Sequence, residues 1–401
     1  MIRALILLAS TLLIALSPAV QATDILIADD DFNKFLSKAK PGDIFSIYPG
    51  RYKVTRTIKL AANGTKEAPI TIRPSKAGKV VIEVDTQIGF KISGKNWIVE
   101  DLDFVGICVT HSTCEHAMQI VGNADGAIIR NNSMVDFNSA IKGNGDLTDN
   151  RQYFPDHVLI EKNKIYNRTP RQTRTPVTPI DVVGGRFWTI RENFIADFQK
   201  LEGNQISMAG FLKGNSDNGL IEKNLVICEW KHKGGIRLGL SLGGGGTTNP
   251  QFCQGRSCKI EHYKGTIRSN VIMNCPADVG LYLNDAANTT VVNNTIINTL
   301  GIDVRFNGSF ATIANNIVHG RIKERDGGRY RGYNNIVEED LADIFPRAAF
   351  NDFTPKDMSS LKDAAFGFEG IDFCTGKPQE DWVGAFAYPM ACSIADFLPS
   401  P

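Results

Sequence analysis

The sequence has almost no net charge, with 44 Lys and Arg against 43 Asp and Glu in 401 residues. That balance excludes non-specific nucleic-acid binding by bulk charge, so no nucleic-acid partner is expected. Beyond residue 22 there is no uninterrupted apolar stretch of about 18 residues, the minimum for a membrane-spanning helix, and no membrane partner is expected either. A 3.6-residue apolar period is also missing, which excludes stacked helical repeats. The chain is nonetheless 42% hydrophobic and only 22% charged, far from the composition of a disordered polymer.

What the sequence does have is one recurring phrase, an apolar-alternating run, a turn, and a hydrophobic triplet marked by Asn. Its copies place Asn132, Asn163, Asn193, Asn224, Asn270, Asn294, Asn316 and Asn335 at spacings of 31, 30, 31, 46, 24, 22 and 19 residues. The shortest spacings fit one coil of a parallel β-helix, in which three short strands and three turns complete a rung and the next rung stacks about 4.8 Å away. The fold class expected is all-β, a right-handed parallel β-helix, the hand following the general preference of parallel crossovers. Of 30 asparagines, 27 lie between Asn96 and Asn335, so they read as a structural ladder whose members take the left-handed conformation at a turn and bond to the next rung.

Residues 1–22 carry one basic side chain, Arg3, an apolar run from Ala4 to Leu16, and the ending Val20-Gln21-Ala22. This reads as a secretory signal peptide and implies a secreted or periplasmic protein, expected to be a monomer. Eight cysteines in an oxidising compartment then read as disulfides. Neighbouring register pairs Cys108 with Cys114, Cys253 with Cys258, Cys374 with Cys392, and Cys228 with Cys275, one connectivity among many. Their spacings match no zinc-ligand pattern.

A solenoid needs caps. Residues 23–44 are read as an N-terminal cap, with a short amphipathic helix over 30–39 stopped by Pro41-Gly42. The β-helix is expected over 45–340 and an irregular tail packed on it over 341–401. Four stretches exceed the repeat: Ser139 to Asp156, Arg168 to Pro179, Asp197 to Gln205, and Leu242 to His262. Loops on a solenoid rise from its side and build binding surfaces, so a walled groove is expected near the coils between Asn163 and Asn270.

Strand alternation then assigns outward side chains. With Ile180 and Val182, Ile236, Leu238 and Leu240, Val279, Leu281 and Leu283, and Ile302, Val304 and Phe306 read as core, the outward set is Asp181, Lys213, Arg237, Ser241, Tyr282, Asn284, Asp303 and Arg305. Such a stripe mixes cations, a phenol and carboxylates beside flexible glycines. The catalytic candidates are Lys213, Arg237, Tyr282 and Arg305; the substrate-binding candidates are Asp181, Ser241, Asn284 and Asp303. Ca²⁺ is an open option through the oxygens of Asp181, Asp303 and Asn284, with no dedicated metal ligands identified.

The front section, with KPGDIFSIYPGRYKV, APITIRPS and FKISGKNWIVEDLDFVG, resembles the secreted polysaccharide lyases of the chondroitinase B and alginate lyase type, as does GGIRLG at 234–239. The tail phrase DWVGAFAY resembles the endings of secreted β-helix carbohydrate-active proteins. The family's paired-glutamate calcium strand and its Arg-His-Gly rung are absent, so its catalytic residues are not carried over. An Asp-Asp pair of the polygalacturonase type and an Asp-Pro-His rung of the mannuronan epimerase type are also absent. The resemblance implies an enzyme that cleaves an acidic, uronic-acid-containing polysaccharide by β-elimination. Arg237 and Arg305 would hold the uronate carboxylate, Lys213 would be the base and Tyr282 the acid. The alternatives are a non-catalytic glycan-binding or surface-assembly β-helix and a C5-epimerase.

Overall fold

Alternating apolar residues in strands mostly of three to five residues and at most eight leave each segment too short to bury its inner face alone. Stacking provides the missing contacts. In the computed structural model, which describes residues 23–28, 31–76, 78–340, 342–347, 352–362 and 365–399, the chain winds into a parallel β-helix of three long sheets with 12, 11 and 10 strands. The segment 1–22, read above as a signal peptide, lies outside the described residues. From Ile44–Ile47 onward the strands of the three long sheets follow one another in rotation: Leu159–Glu161 in sheet 1, Lys164–Tyr166 in sheet 2 and Ile180–Val183 in sheet 3 form one coil. The inward residues form one continuous core from Ile27 to Val318.

The corner between sheets 1 and 2 is where the asparagines stand. Each ladder Asn accepts the backbone N–H of its counterpart in the preceding coil: the N–H of Asn163 donates to Asn193 Oδ1 at 3.0 Å, that of Asn193 to Asn224 at 3.1 Å and that of Asn224 to Asn270 at 3.0 Å. The series runs unbroken from Asn132 to Asn335. The ladder asparagines do not themselves take the left-handed conformation, contrary to the expectation. The residue before each does, as with Lys162, Glu192, Lys223 and Ser269, at φ of 54–56°. Turning the corner in the preceding residue leaves the Asn amide aimed along the stack, where it satisfies backbone groups that water cannot reach.

All four disulfides form with the expected partners: Cys108–Cys114, Cys228–Cys275, Cys253–Cys258 and Cys374–Cys392. At the front, the helix is confined to Phe32–Leu36, shorter than 30–39, with Phe32 and Leu36 plugging the first coil. The strand Asp24–Ile27 already pairs with Ile44–Ile47, so sheet 1 begins inside the segment read as cap. No helix among the described residues is long and apolar enough to cross a membrane.

The three outer faces have different fates, and this positions the site. On sheet 1 the outward row alternates in sign, Glu100, Arg130, Glu161, Arg191, Glu222 and Arg268, each paired with its neighbour across the strands. On sheet 2 the outward residues Phe194, Leu225, Val271 and Ile297 are buried under tail residues that include Phe345, Phe353, Phe373 and Phe386. Sheet 3 carries the long excursions at its two edges and a cleft on its outer face.

Candidate active site

A cleft of about 830 Å³ lies on sheet 3, lined from all four long excursions. Asp146, Leu147, Gln152 and Phe154 come from the first, Pro176 and Thr178 from the second, Lys200 and Asn204 from the third, and Gly245, Gly246, Thr247, Gln251 and Phe252 from the fourth. The first excursion is a hairpin, Asp146–Thr148 against Arg151–Tyr153. It joins the fourth through Gln152, which donates to the carbonyls of Gln251 at 3.1 Å and Cys253 at 3.0 Å and accepts from the Gly255 N–H at 3.0 Å. These two loops follow sheet 3 strands, whereas the second and third precede them. The walls therefore stand on opposite sides, and the groove between them runs along the stacking direction, across the strands.

The floor is set by strand register. Lys142 stands opposite Asp181, Asp181 opposite Phe211, Phe211 opposite Ser241, Ser241 opposite Tyr282 and Tyr282 opposite Asp303. Lys142 Nζ lies 2.7 Å from Asp181 Oδ1. One outward step along, Lys213 Nζ donates to the Gly246 carbonyl at 2.9 Å and sits 4.8 Å from the Phe211 ring centre. Burial holds the Lys213 ammonium below the usual lysine range; Asp181 opposes this shift and Lys142 adds to it. Lys200, whose Nζ donates to Asn204 Oδ1 at 2.6 Å, is also lowered by burial. The cleft thus holds three lysines around one paired carboxylate, with Asp146 at its rim.

Of the residues read from the sequence, the cleft brings together Lys213 and Asp181. Tyr282, Asp303 and Arg305 lie farther along the same face: Arg305 donates to Tyr282 Oη at 3.3 Å and pairs with Asp326, while Asp303 pairs with Arg325. Burial raises the Tyr282 phenol, with the Arg305 hydrogen bond opposing, so it stays protonated at neutral pH. Ser241 and Asn284 are anchors for the glycine-rich excursion. Ser241 Oγ donates to the Tyr282 carbonyl at 2.7 Å and accepts from the Gly244 N–H at 3.0 Å, and Asn284 donates to the Gly244 carbonyl at 2.8 Å. Gly243 permits this closeness, because a Cβ there would lie 1.8 Å from the Asn284 carbonyl oxygen.

Arg237 is a correction. Its side chain is 1% exposed and points away from the groove. Its Nε donates to the Gly234 carbonyl at 2.9 Å, its Nη2 to Gln199 Oε1 at 2.9 Å and its Nη1 to the Cys228 carbonyl, with Asp197 3.6 Å away. Leu238, read as core, belongs instead to an outer apolar cluster with Val183, Met208, Phe211, Val279 and Tyr282. The alternation slips at Gly239: Leu240 and Leu242 are in the main core, but Leu238 is not. A Cβ at Gly239 would fall 2.1 Å from the Gly280 carbonyl oxygen, so the backbone crowds there and the parity changes. Val279, read as core, belongs to the same outer cluster, and Phe306 is a half-buried corner residue at φ 67°.

Lys142 and Lys200 were missed. Lys142 had a signal, since Ile141-Lys142-Gly143 alternates in the register of Ile180-Asp181-Val182, but it falls inside the stretch read as a loop. The oxygens considered for Ca²⁺ do not converge: Asp181 and Asp303 are four strands apart, each paired with a cation, and Asn284 binds a loop carbonyl. These residues do not fit a calcium site, and no step is derived through an ion. Among the described residues the metal-ligand types that cluster are Cys253, Cys258 and Glu261, and both cysteines are in a disulfide.

The chondroitinase B family model matches residues 27–215, which bears out the resemblance read from the front of the sequence. No curated protein matches the chain. Among solved structures, pectate lyase Pel9A superposes with a TM-score of 0.64 at 14% identity, covering 92% of this chain and 97% of that one. A rhamnogalacturonan lyase gives 0.55 at 13%, covering 79% and 87%. A lacto-N-biosidase from Eubacterium ramulus gives 0.50 at 10%, covering 79% and 67%. At these identities the likeness shows the parallel β-helix fold.

Proposed function

We propose that the protein is a secreted or periplasmic polysaccharide lyase that cuts a uronic-acid-containing glycan by β-elimination in the cleft over sheet 3. The observation that carries this reading is Lys213, a lysine of lowered proton affinity held by a loop carbonyl in a groove rich in other cations. The family match over residues 27–215 and the four disulfides support it.

Each chemical demand of the reaction has a group to meet it. The uronate carboxylate must be neutralised so that its α-proton becomes acidic, and Lys142, oriented by its ion pair with Asp181, serves there. Lys213, as the neutral amine, takes the proton from C5. The C5–H electrons form the C4–C5 double bond as the C4–O4 bond breaks, and the departing oxygen takes a proton from the Lys200 ammonium. The glycan is severed into a new reducing end and an unsaturated uronate. Tyr282 and Arg305 bind sugar units farther along the groove rather than acting on the bond. Arg237, bound within the wall, takes no part.

The experiment is a panel of uronic-acid polymers followed by the ultraviolet absorbance of the conjugated product. New absorbance on at least one polymer is expected. Retention on a polymer column without new absorbance on any member of the panel would favour a glycan-binding protein instead.

A further inference from the structure

The outward row of sheet 3 does not end at the cleft. Continuing from Lys142 toward the N-terminal coils, the register runs through Gln119 and Lys91 to Lys59. Lys91 and Lys59 stand directly opposite one another on adjacent strands. The Lys59 backbone N–H donates to Asn33 Oδ1 at 2.9 Å, but neither ammonium makes an ion pair or a hydrogen bond among the described residues. Like charges facing each other across a strand pair are destabilising, and where Arg305 faces Arg325 farther along the same sheet each is matched by a carboxylate, Asp326 and Asp303. On sheet 1 Arg130, Arg191 and Arg268 each meet a Glu in the neighbouring coil, and on sheet 2 Arg51 meets Glu83. The stacked lysines thus face each other with no ion-paired carboxylate among the described residues, and they lie in line with the cleft.

The surroundings fit an extended ligand. Lys59 and Lys91 line a second cleft of about 570 Å³ with Ser93, Asn123 and Tyr153, and it meets the first at Asp146. Between the two, Gln119 Nε2 donates to Asn144 Oδ1 at 2.8 Å, leaving the floor polar and uncharged for one coil. At about 4.8 Å per coil, Lys59, Lys91 and Lys142 span roughly 14 Å along the groove direction. In the opposite direction the row turns apolar at Phe211 and passes through Ser241, Tyr282 and Asp303 to Lys323, which stands opposite Asp303; two residues along the same strands, Arg305 and Arg325 are matched by Asp326 and Asp303.

We infer that Lys91 and Lys59 form a polyanion track that receives the part of the glycan chain lying N-terminal of the cleft, and that the preferred ligand carries an anionic group on successive sugars. This rests on the lyase reading for the identity of the ligand as an acidic glycan, but not for the track itself. A uniformly charged polymer laid along the groove advances by about one sugar per coil, so adjacent carboxylates meet adjacent lysines. A glycan charged only on alternate sugars leaves one of the two lysines unmatched.

The test compares the full chain with its Lys59→Gln/Lys91→Gln variant. Binding is measured by titration calorimetry at two salt concentrations with three probes: polygalacturonate, hyaluronan (charged on alternate sugars), and a short galacturonate oligomer. If polygalacturonate does not bind the unaltered chain, alginate takes the place of the uniformly charged probe. The variant should bind the uniformly charged polymer about tenfold more weakly with a shallower salt dependence, lose less on hyaluronan, and keep its affinity for the oligomer. Unchanged polymer affinity and salt slope in the variant would overturn the track, and an equal loss on both polymers would overturn the preference for uniform charge. Elimination is assayed separately on the same proteins. A loss of polymer binding in a protein that eliminates nothing would leave the track standing and remove the lyase reading; intact binding with normal turnover would do the reverse.

Discussion

Arg237 and Leu238 show how much a single step of register decides. Read by alternation, Arg237 was a groove residue and Leu238 a core one, yet the guanidinium closes a buried network and the leucine faces the outer cluster. Arg237→Ala leaves Asp197 and the Gln199 and Cys228 acceptors without their cation, and should cost about 3–5 kcal/mol in denaturant unfolding. Leu238→Ala should cost less, and an undiminished unfolding midpoint for Arg237→Ala would return the residue to the groove. A second residue-scale expectation concerns His262, wholly buried with Nδ1 2.7 Å from Ser216 Oγ and its affinity for a proton pushed from 6.5 down to about 3. Between those values the unfolded chain binds a proton that the folded chain does not, so this residue makes stability fall as pH drops from about 6.5 toward 3. His262→Gln should flatten the acid limb of the stability profile by up to one proton, and an unaltered slope would contradict the assignment.

Among elements, the corner between sheets 1 and 2 and the glycine-rich excursion differ in how legible they were. The asparagine period was plain in the sequence because each coil must satisfy the same buried backbone groups with the same side chain. Asn224 accepts from the N–H and Nδ2 of Asn193 and donates to Ile190, Glu222 and Asn270. Asn224→Ala should cost ~3 kcal/mol for the groups left unsatisfied. Asn224→Asp should not rescue it, since a carboxylate cannot donate to those acceptors; full stability of the Asp variant in thermal unfolding would count against the ladder. The excursion 242–262 was legible as a wall but not in its shape. Its conformation depends on Glu261, which accepts from the Gly214 N–H at 2.7 Å and from Thr247 Oγ1 at 2.9 Å, contacts between residues far apart in the repeat. The strand 141–144 was hidden for the opposite reason: it lies so close to the first excursion that its alternation was absorbed into the loop, and Lys142 with it.

At the scale of the whole molecule, one face of the β-helix carries charge pairs, one lies under the tail along its later coils and one holds the cleft. Periodicity revealed the coils, and the long spacings showed where the walls rise. It could not reveal which outward residues converge, because that depends on the parity change at Gly239 and on which cations find partners. The central claim is that Lys213 removes a proton in the cleft over sheet 3. Because burial lowers its proton affinity, elimination should increase as pH rises and level off below the range of an exposed lysine. The most direct measurement is the ultraviolet absorbance of unsaturated product on the polymer that the unaltered protein cuts, for Lys213→Met at several pH values, alongside its melting temperature and its affinity for the polymer. The variant is expected to fold and bind the polymer while eliminating at least a thousandfold more slowly, without the pH-dependent rise. Elimination by Lys213→Met at the unaltered rate, with the same pH dependence, would contradict the account.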